Sequence, residues 1–176
     1  MSGIVRAAAM LIAAALLPLS ASAQESAEDS SEIEALRAEI QMLRGMIGSQ
    51  SHAMMDVDYH FTNLWFAGEA ANWPLAEFYL NETVNHIGWA VRVRPVRPTQ
   101  NGPLELQPIF ETMRNFSLAE AREAIEIEDK PGFEAAYAHV VEECHACHVA
   151  AEKPYLRPHI PEQAATRMID MAPAAD

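Results

Sequence analysis

Apolar residues recur along most of the chain at spacings of three and four, which is the periodicity of helices with one buried face. The first run is a heptad seam, made of Ile33, Leu36, Ile40, Leu43 and Ile47. It predicts a heptad helix over residues 32–48. Two interpretations of the seam stay open: the helix packs on its own domain, or residues 32–47 join copies of the chain in a homo-oligomer.

Further apolar stripes predict four helices, over about residues 49–68, 74–93, 106–129 and 132–153. The longest connection, residues 94–108, contains four prolines and is expected to be a loop. No stretch shows the alternation that a strand requires. The sequence therefore predicts an all-α fold, a four-helix bundle over residues 49–155 with an additional N-terminal heptad helix and a C-terminal tail over residues 156–176.

Two details of these helices follow from single residues. The helix over residues 74–93 is expected to bury Phe78 or Tyr79, together with Trp89, on its apolar face. In the next helix, Ser117 and Glu120 have the spacing of a capping box. We therefore expect that helix to break or restart near Ser117.

The first 23 residues have the layout of a secretory signal peptide. Arg6 precedes an apolar run that ends at Leu17, and Ala21-Ser22-Ala23 supplies the small residues of a cleavage site. The run is shorter than the ~20 apolar residues that a membrane span requires. We expect residues 1–23 to be removed, which leaves a soluble periplasmic protein whose first residues, 24–31, form a flexible tether.

The net charge of the chain limits the classes of partner that it can be expected to bind. It holds 25 acidic and 12 basic residues, and its formal net charge is −13. So acidic a protein is a poor ligand for nucleic acid, whose phosphates require a basic surface. The expected partners are small molecules or proteins with basic patches. The basic residues that do cluster, Arg92, Arg94 and Arg97, either pair with acidic groups of a cofactor or partner or form a solvated loop.

The sharpest motif contains the only two cysteines, in the segment Cys144-His145-Ala146-Cys147-His148. Two cysteines separated by two residues and followed directly by histidine are the signature of covalent haem c attachment. Residues three apart lie on one side of a helix, so both thiols can form thioethers with one porphyrin, and His148 becomes the proximal iron ligand. A structural zinc site would require a fourth ligand, and a redox dithiol would require a strand–helix–strand setting.

With this motif on the last helix, in the stretch from Phe133 to Tyr155, the sequence resembles the cytochrome c prime family and its low-spin, c556-like relatives. The resemblance implies a four-helix bundle with one covalent haem. It also implies an axial methionine on the first bundle helix, followed seven positions later by a large apolar residue; Met54 and Phe61 fit that pattern. The heptad segment and the proline-rich loop depart from the family, so the chain resembles a distant branch.

Function depends on the group opposite His148. Met54 is the first candidate for the sixth iron ligand, although a methionine on an apolar face is often ordinary core. His60, His86 and Met55 are the rivals. A sixth ligand favours an exported monohaem electron carrier, not an enzyme, that meets a redox partner protein. The alternatives are a five-coordinate haem that binds a diatomic gas or reduces peroxide, and a haem-bearing interaction subunit of a larger complex.

Overall fold

The computed structural model describes the backbone of residues 17–174 and the side chains of residues 30–43 and 45–174. Residues 1–16 of the predicted signal peptide therefore lie outside the described residues. The elements are α1 (Leu17–Met46), α2 (Gln50–Glu69), α3 (Trp73–Val93), β1 (Val96–Thr99), β2 (Gly102–Glu105), α4 (Leu106–Asn115), α5 (Ser117–Glu126) and α6 (Lys130–Ala150). The described chain is mostly helical, which confirms the all-α class.

The chain forms two compact units, divided between Ile47 and Gly48. In the first unit, α1 carries the heptad seam as far as Leu43, and Ile47 directly follows its last residue. The seam side chains are between 45% and 51% exposed. Residues 24–31 belong to α1, where the sequence predicts a flexible tether. The stretch has neither glycine nor proline and contains alanine and glutamate, which favour helix, so nothing in it interrupts the helix.

The second unit, from Gly48 onward, is built from two helical hairpins. Helix α2 packs on α3, and α5 packs on α6. The hairpins meet where α2 contacts α6 and α3 contacts α5, and α4 lies against α3 and α5. None of the helices in the described part of the chain has the length and hydropathy of a membrane span.

The main core of this unit lies between α2, α3, α5 and α6. Its largest buried side chains include Leu64, Leu80, Leu118, Phe133 and Tyr137. Gly68 allows α2 and α6 to approach closely, because a Cβ at that position would overlap the ring of Phe133. The second apolar cluster, made of Val91, Leu106 and Phe110, joins α3 to α4.

The buried face of helix α3 agrees only in part with the predicted one. Tyr79 is buried and Phe78 is exposed, and Trp89 is exposed as well. The buried stripe runs through small residues, Ala76, Thr83 and Ala90 among them, which let α3 approach its neighbours. The prediction for Trp89 was therefore wrong, because it followed side-chain size instead of the helical period.

The predicted loop after α3 contains a β-hairpin. Strands β1 and β2 pair antiparallel, with Thr99 opposite Gly102. Gly102 has φ of +110°, a conformation that glycine adopts without a steric cost, so the chain reverses tightly here. The expectation of an unstructured loop was wrong, because the prolines were counted as breakers although Pro98 and Pro103 occupy an isolated two-stranded ribbon.

The expected break in the third helix is present at Phe116, between α4 and α5, but its cause is different. Ser117 does not cap α5; its buried hydroxyl donates to the Glu143 carboxylate of α6 and lies 3.4 Å from the Met113 carbonyl oxygen. Glu120 pairs with His139. The capping-box prediction was therefore wrong, and the break is held by a tertiary contact to α6.

The residues after α6 form an irregular segment that returns along α2. The side-chain oxygen of the fully buried Asn63 accepts hydrogen bonds from the backbone of Ala165 and Thr166, at 3.0 and 3.2 Å. The side-chain amide of Asn72 donates to the carbonyls of Met171 and Ala172. The C-terminal tail is thus fixed at two positions of the helical unit.

Candidate functional site

The two cysteines lie near the end of α6, on the side that faces the rest of the unit. Cys144 packs against the main core and Cys147 packs against the second apolar cluster. Both thiols are free and half-buried. Within α6, the side chains up to Val140 include four that are buried, whereas every residue after Val140 is half-buried or exposed. The cysteines therefore occupy an apolar but partly open end of the helix.

Burial keeps both thiols protonated. It raises the pKa of Cys144 to about 12, with further contributions from the neighbouring Cys147 and Glu143. Burial also raises the pKa of Cys147. Both cysteines are therefore thiols at neutral pH, because the thiolate forms only near or above the pKa.

The ring of His148 is held by the segment that follows α6. Its Nδ1 lies 2.9 Å from the carbonyl oxygen of Leu156. A carbonyl oxygen can only accept, so Nδ1 must carry the proton and Nε2 keeps its lone pair. Metal-bound histidines are oriented in this way, by a hydrogen bond from the other ring nitrogen. Leu156 thus supplies the acceptor that sequence reasoning could not have identified, because any residue offers a backbone carbonyl.

His145, between the cysteines, lies 3.3 Å through Nε2 from the carbonyl oxygen of Pro154. It is half-buried and, like His148, is bonded to the turn after α6. The two histidines of the motif therefore attach the end of α6 to the following segment. His148, which directly follows the second cysteine, is the one in the position that the motif assigns to a metal ligand.

Helices α2 and α6 run antiparallel, and their contacts define a register. The Lys130 ammonium donates to the carbonyl of Glu69 at 2.9 Å. Further along, the rings of Phe61 and Tyr137 stack with centroids 4.1 Å apart. The Tyr137 hydroxyl donates to the backbone oxygen of Phe61, and burial raises the pKa of this hydroxyl.

Continuing this register brings Met54 to the level of Cys144. Met54 lies seven residues before Phe61, and Cys144 lies seven residues after Tyr137, so each shares a helix face with its stacked aromatic residue. Met54 is half-buried, and among the described residues it belongs to neither apolar cluster. Met55 is 66% exposed. Of the two methionines, Met54 is the one that shares the α2 face of Phe61, whose ring stacks on Tyr137 of α6.

His60 and His86 are brought together by α2 and α3. Their rings stack with centroids 4.7 Å apart, and Tyr79 flanks His60. His86 lies near two carboxylates, Asp56 and Glu82, each at 3.7 Å. The pKa of His60 is lowered, first by burial and then by His86, so this ring tends to stay neutral. These contacts involve α2 and α3 alone, whereas the Cys-x-x-Cys-His segment is on α6.

Two of the three clustered arginines, Arg97 and Arg92, have local contacts. Arg97 donates to the side-chain oxygen of Gln50 at 3.2 Å. The Arg92 guanidinium lies 5.7 Å from the centre of the Trp89 ring. Each is thus engaged locally, and the interpretation of a solvated loop fits these contacts.

A scan of protein-family models, a search of curated proteins and a search of solved structures each gave no match to this chain.

The donor set fits covalently bound haem. Cys144 and Cys147 present two half-buried thiols one helical turn apart, on the apolar side of α6. The Leu156 carbonyl requires the proton of His148 to be on Nδ1, which directs Nε2 to a metal. Glu143 and Leu156 are the neighbours that sequence reasoning missed. A carboxylate next to the motif could have drawn attention to Glu143, but its pairing with Ser117 required the fold.

Proposed function

We propose that this protein is an exported monohaem c-type cytochrome that carries electrons and is not an enzyme. One observation carries the proposal: His148, directly after two half-buried thiols on one face of α6, donates from Nδ1 to Leu156 and keeps Nε2 for iron. Cys144 and Cys147 hold one haem c through thioethers, and His148 is the proximal ligand.

The proposal includes the fold of the resembling family. Helices α2, α3, α5 and α6 contact one another in a closed ring. Helix α4 and helix α5 together correspond to one bundle helix that is broken at Phe116. This arrangement supports a four-helix bundle of the cytochrome c prime type, with the motif on its last helix and Met54 on its first.

When bound, haem c would supply an iron ion that takes up one electron from a redox partner and passes it on to another. The chain's own residues fix its surroundings. His148 stays in one tautomer because of Leu156. Met54, on the α2 face directed to α6, is the proposed sixth ligand, and a thioether ligand raises the reduction potential. The apolar neighbours of Cys144 and Cys147 reduce the contact of the attachment side with water.

The surroundings of the protein follow from its sequence. The layout of residues 1–23 supports removal of a signal peptide and residence in the periplasm. The formal charge of −13 favours a redox partner protein that carries a basic patch, because opposite charges steer the encounter. Nucleic acid is not a proposed partner.

Replacing Met54 by alanine tests whether Met54 is the sixth iron ligand of an electron-carrying haem. The ferrous wild-type protein is expected to show the sharp absorption bands of six-coordinate low-spin haem, and Met54→Ala is expected to show a broad high-spin spectrum that shifts with carbon monoxide. Met55→Ala is the matched control, since Met55 is exposed, and should keep the wild-type spectrum. A wild-type protein that is already high-spin and binds carbon monoxide would support the five-coordinate alternative. An unchanged spectrum of Met54→Ala would reject Met54 as ligand.

We also propose that α1 joins copies of the chain. The seam side chains of α1 are apolar and exposed, and a continuous apolar stripe of this kind favours a coiled-coil partner. The same surface would serve a haem-bearing interaction subunit, in which the partner is a different protein.

Charged substitutions in the seam test this proposal. Leu36→Glu combined with Leu43→Glu places buried charges in a coiled-coil interface and is expected to convert an oligomer into a monomer, as measured by analytical ultracentrifugation. Met42→Glu is the control, because Met42 is exposed and lies off the seam. A wild-type chain that sediments as a monomer at high concentration would contradict self-association.

A further inference from the structure

A second group of metal-binding residue types lies between α2 and α3. His60, Glu82 and His86 each offer one ligand atom, and these atoms lie within 4.8 Å of one another. The ligand atoms come from two packed helices, so the backbone holds them in fixed positions. All three side chains are half-buried.

The spacing of the residues explains why they converge. Asp56 and His60 are four residues apart on α2, and Glu82 and His86 are four residues apart on α3. Residues four apart lie one above the other on a helix. Each helix therefore presents one carboxylate and one imidazole to the same place, and the stacking of His60 on His86 joins the two pairs.

The two imidazoles lack partners that their burial would otherwise require. The Nδ1 atoms of His60 and His86 are buried and make no hydrogen bond to any described residue. The closest carboxylate oxygen of Asp56 is 3.7 Å from Nδ1 of His86, and that of Glu82 is 3.7 Å from its Nε2. These distances exceed a hydrogen bond. Buried polar atoms without partners are uncommon and call for an explanation, such as an ion between them.

We propose that His60, Glu82 and His86 bind a divalent transition-metal ion, for which zinc is the best fit. Two imidazoles and a carboxylate are a frequent ligand set for zinc. Tetrahedral zinc with ~2.1 Å bonds brings its donors about 3.4 Å apart. The two rings stack, so their lone pairs lie in nearly parallel planes, and at least one imidazole turns when both histidines bind one ion. The ion then coordinates one ring nitrogen of each histidine.

The site is distinct from the haem motif. Its histidines contact aromatic and acidic side chains of α2 and α3, namely Tyr59, Tyr79, Asp56 and Glu82. Cys144, Cys147 and His148 lie on α6. A metal ion at this position would link α2 to α3 and leave the proposed haem ligands unchanged.

The test is zinc binding by the purified full-length mature protein, carrying whatever haem it acquires in the periplasm. After treatment with a chelator and its removal, isothermal titration with zinc chloride is expected to give one site per chain. Zinc-edge X-ray absorption of that sample should show two imidazoles. His60→Ala and His86→Ala are each expected to weaken binding by about 100-fold or more, since even loss of a supporting residue outside the ligand set costs 10–100-fold. Glu82→Gln, which keeps the shape of the side chain, should also weaken it.

His139→Ala is the matched control, because His139 also lies beside two carboxylates, Glu120 and Glu143, at 3.2 and 3.9 Å. It should bind zinc as the wild type does. Equal binding by wild type, His60→Ala and His86→Ala would overturn the proposal. If the alanine variants fail to fold, the wild-type absorption spectrum decides, and fewer than two imidazoles would overturn it. A change in the haem spectrum when zinc binds would assign these histidines to the haem instead.

Discussion

Replacing both Cys144 and Cys147 by serine is expected to remove all covalently bound haem from the protein. A hydroxyl does not form the thioether that a thiol forms with a vinyl group, and each of the two thiols supplies one such bond. The protein would be produced with the machinery for c-type haem attachment. Mass spectrometry of the denatured chain should then show one added haem in the wild type and none in the double variant, and haem staining of a denaturing gel should agree.

Variants of the two histidines separate attachment from ligation. His148→Ala keeps both thiols and is expected to lose the native spectrum, because the proximal ligand is gone. His145→Ala is the control within the motif, since this ring is bonded to the Pro154 carbonyl and is given no role at iron. It should keep both haem and spectrum. A wild-type chain that matures under these conditions without added mass would reject the proposed cytochrome, and so would covalent haem in the double serine variant.

The helices and the attachment motif could be predicted from the sequence because both depend on short spacings. Helices α2, α3 and α6 begin and end within a few residues of the predicted bounds. Pro74 marks the first turn of α3, and Pro131 marks that of α6. The placement of Cys144, Cys147 and His148 on the last helix follows from the same periodicity.

Contacts between distant residues could not be predicted in this way. Asn63 bonds to a backbone about a hundred residues later, and nothing near it in the sequence distinguishes it from a solvated asparagine. The carbonyl of Leu156 beside His148 has no side-chain signature at all. Ser117 has the spacing of a cap, yet its hydroxyl bonds to α6 because the break brings it inside the core.

The cluster of His60, Glu82 and His86 lies between these two cases. The spacing within each helix could be read from the sequence, because Asp56 and His60, like Glu82 and His86, are one helical turn apart. The contact between His60 of α2 and His86 of α3 could not be read from it, because it depends on how the two helices pack. Considered singly, His60 and His86 were rivals for the haem iron, and only their contact with each other gives them a site of their own.

Replacing Phe133 by alanine is expected to destabilise the helical unit by about 3–5 kcal/mol, which is the range for truncating a buried phenylalanine. Phe133 is 0% exposed and contacts Trp65, Trp73 and Tyr137, so it joins α6 to α2 and α3. Urea unfolding followed by circular dichroism would measure the free energy of unfolding. Phe78→Ala is the control, because Phe78 is 52% exposed, and it should cost much less.

A double variant tests whether Gly68 and Phe133 act as one contact. Gly68→Ala alone is expected to destabilise the protein, because its Cβ would overlap the Phe133 ring and overpacking typically costs about 1–3 kcal/mol. With Phe133→Ala already present, the same methyl group enters space that the ring has left. The combined loss should therefore be smaller than the sum of the two single losses. Strict additivity would mean that α2 and α6 do not approach each other at this position, and the register that brings Met54 to the level of Cys144 would lose its support.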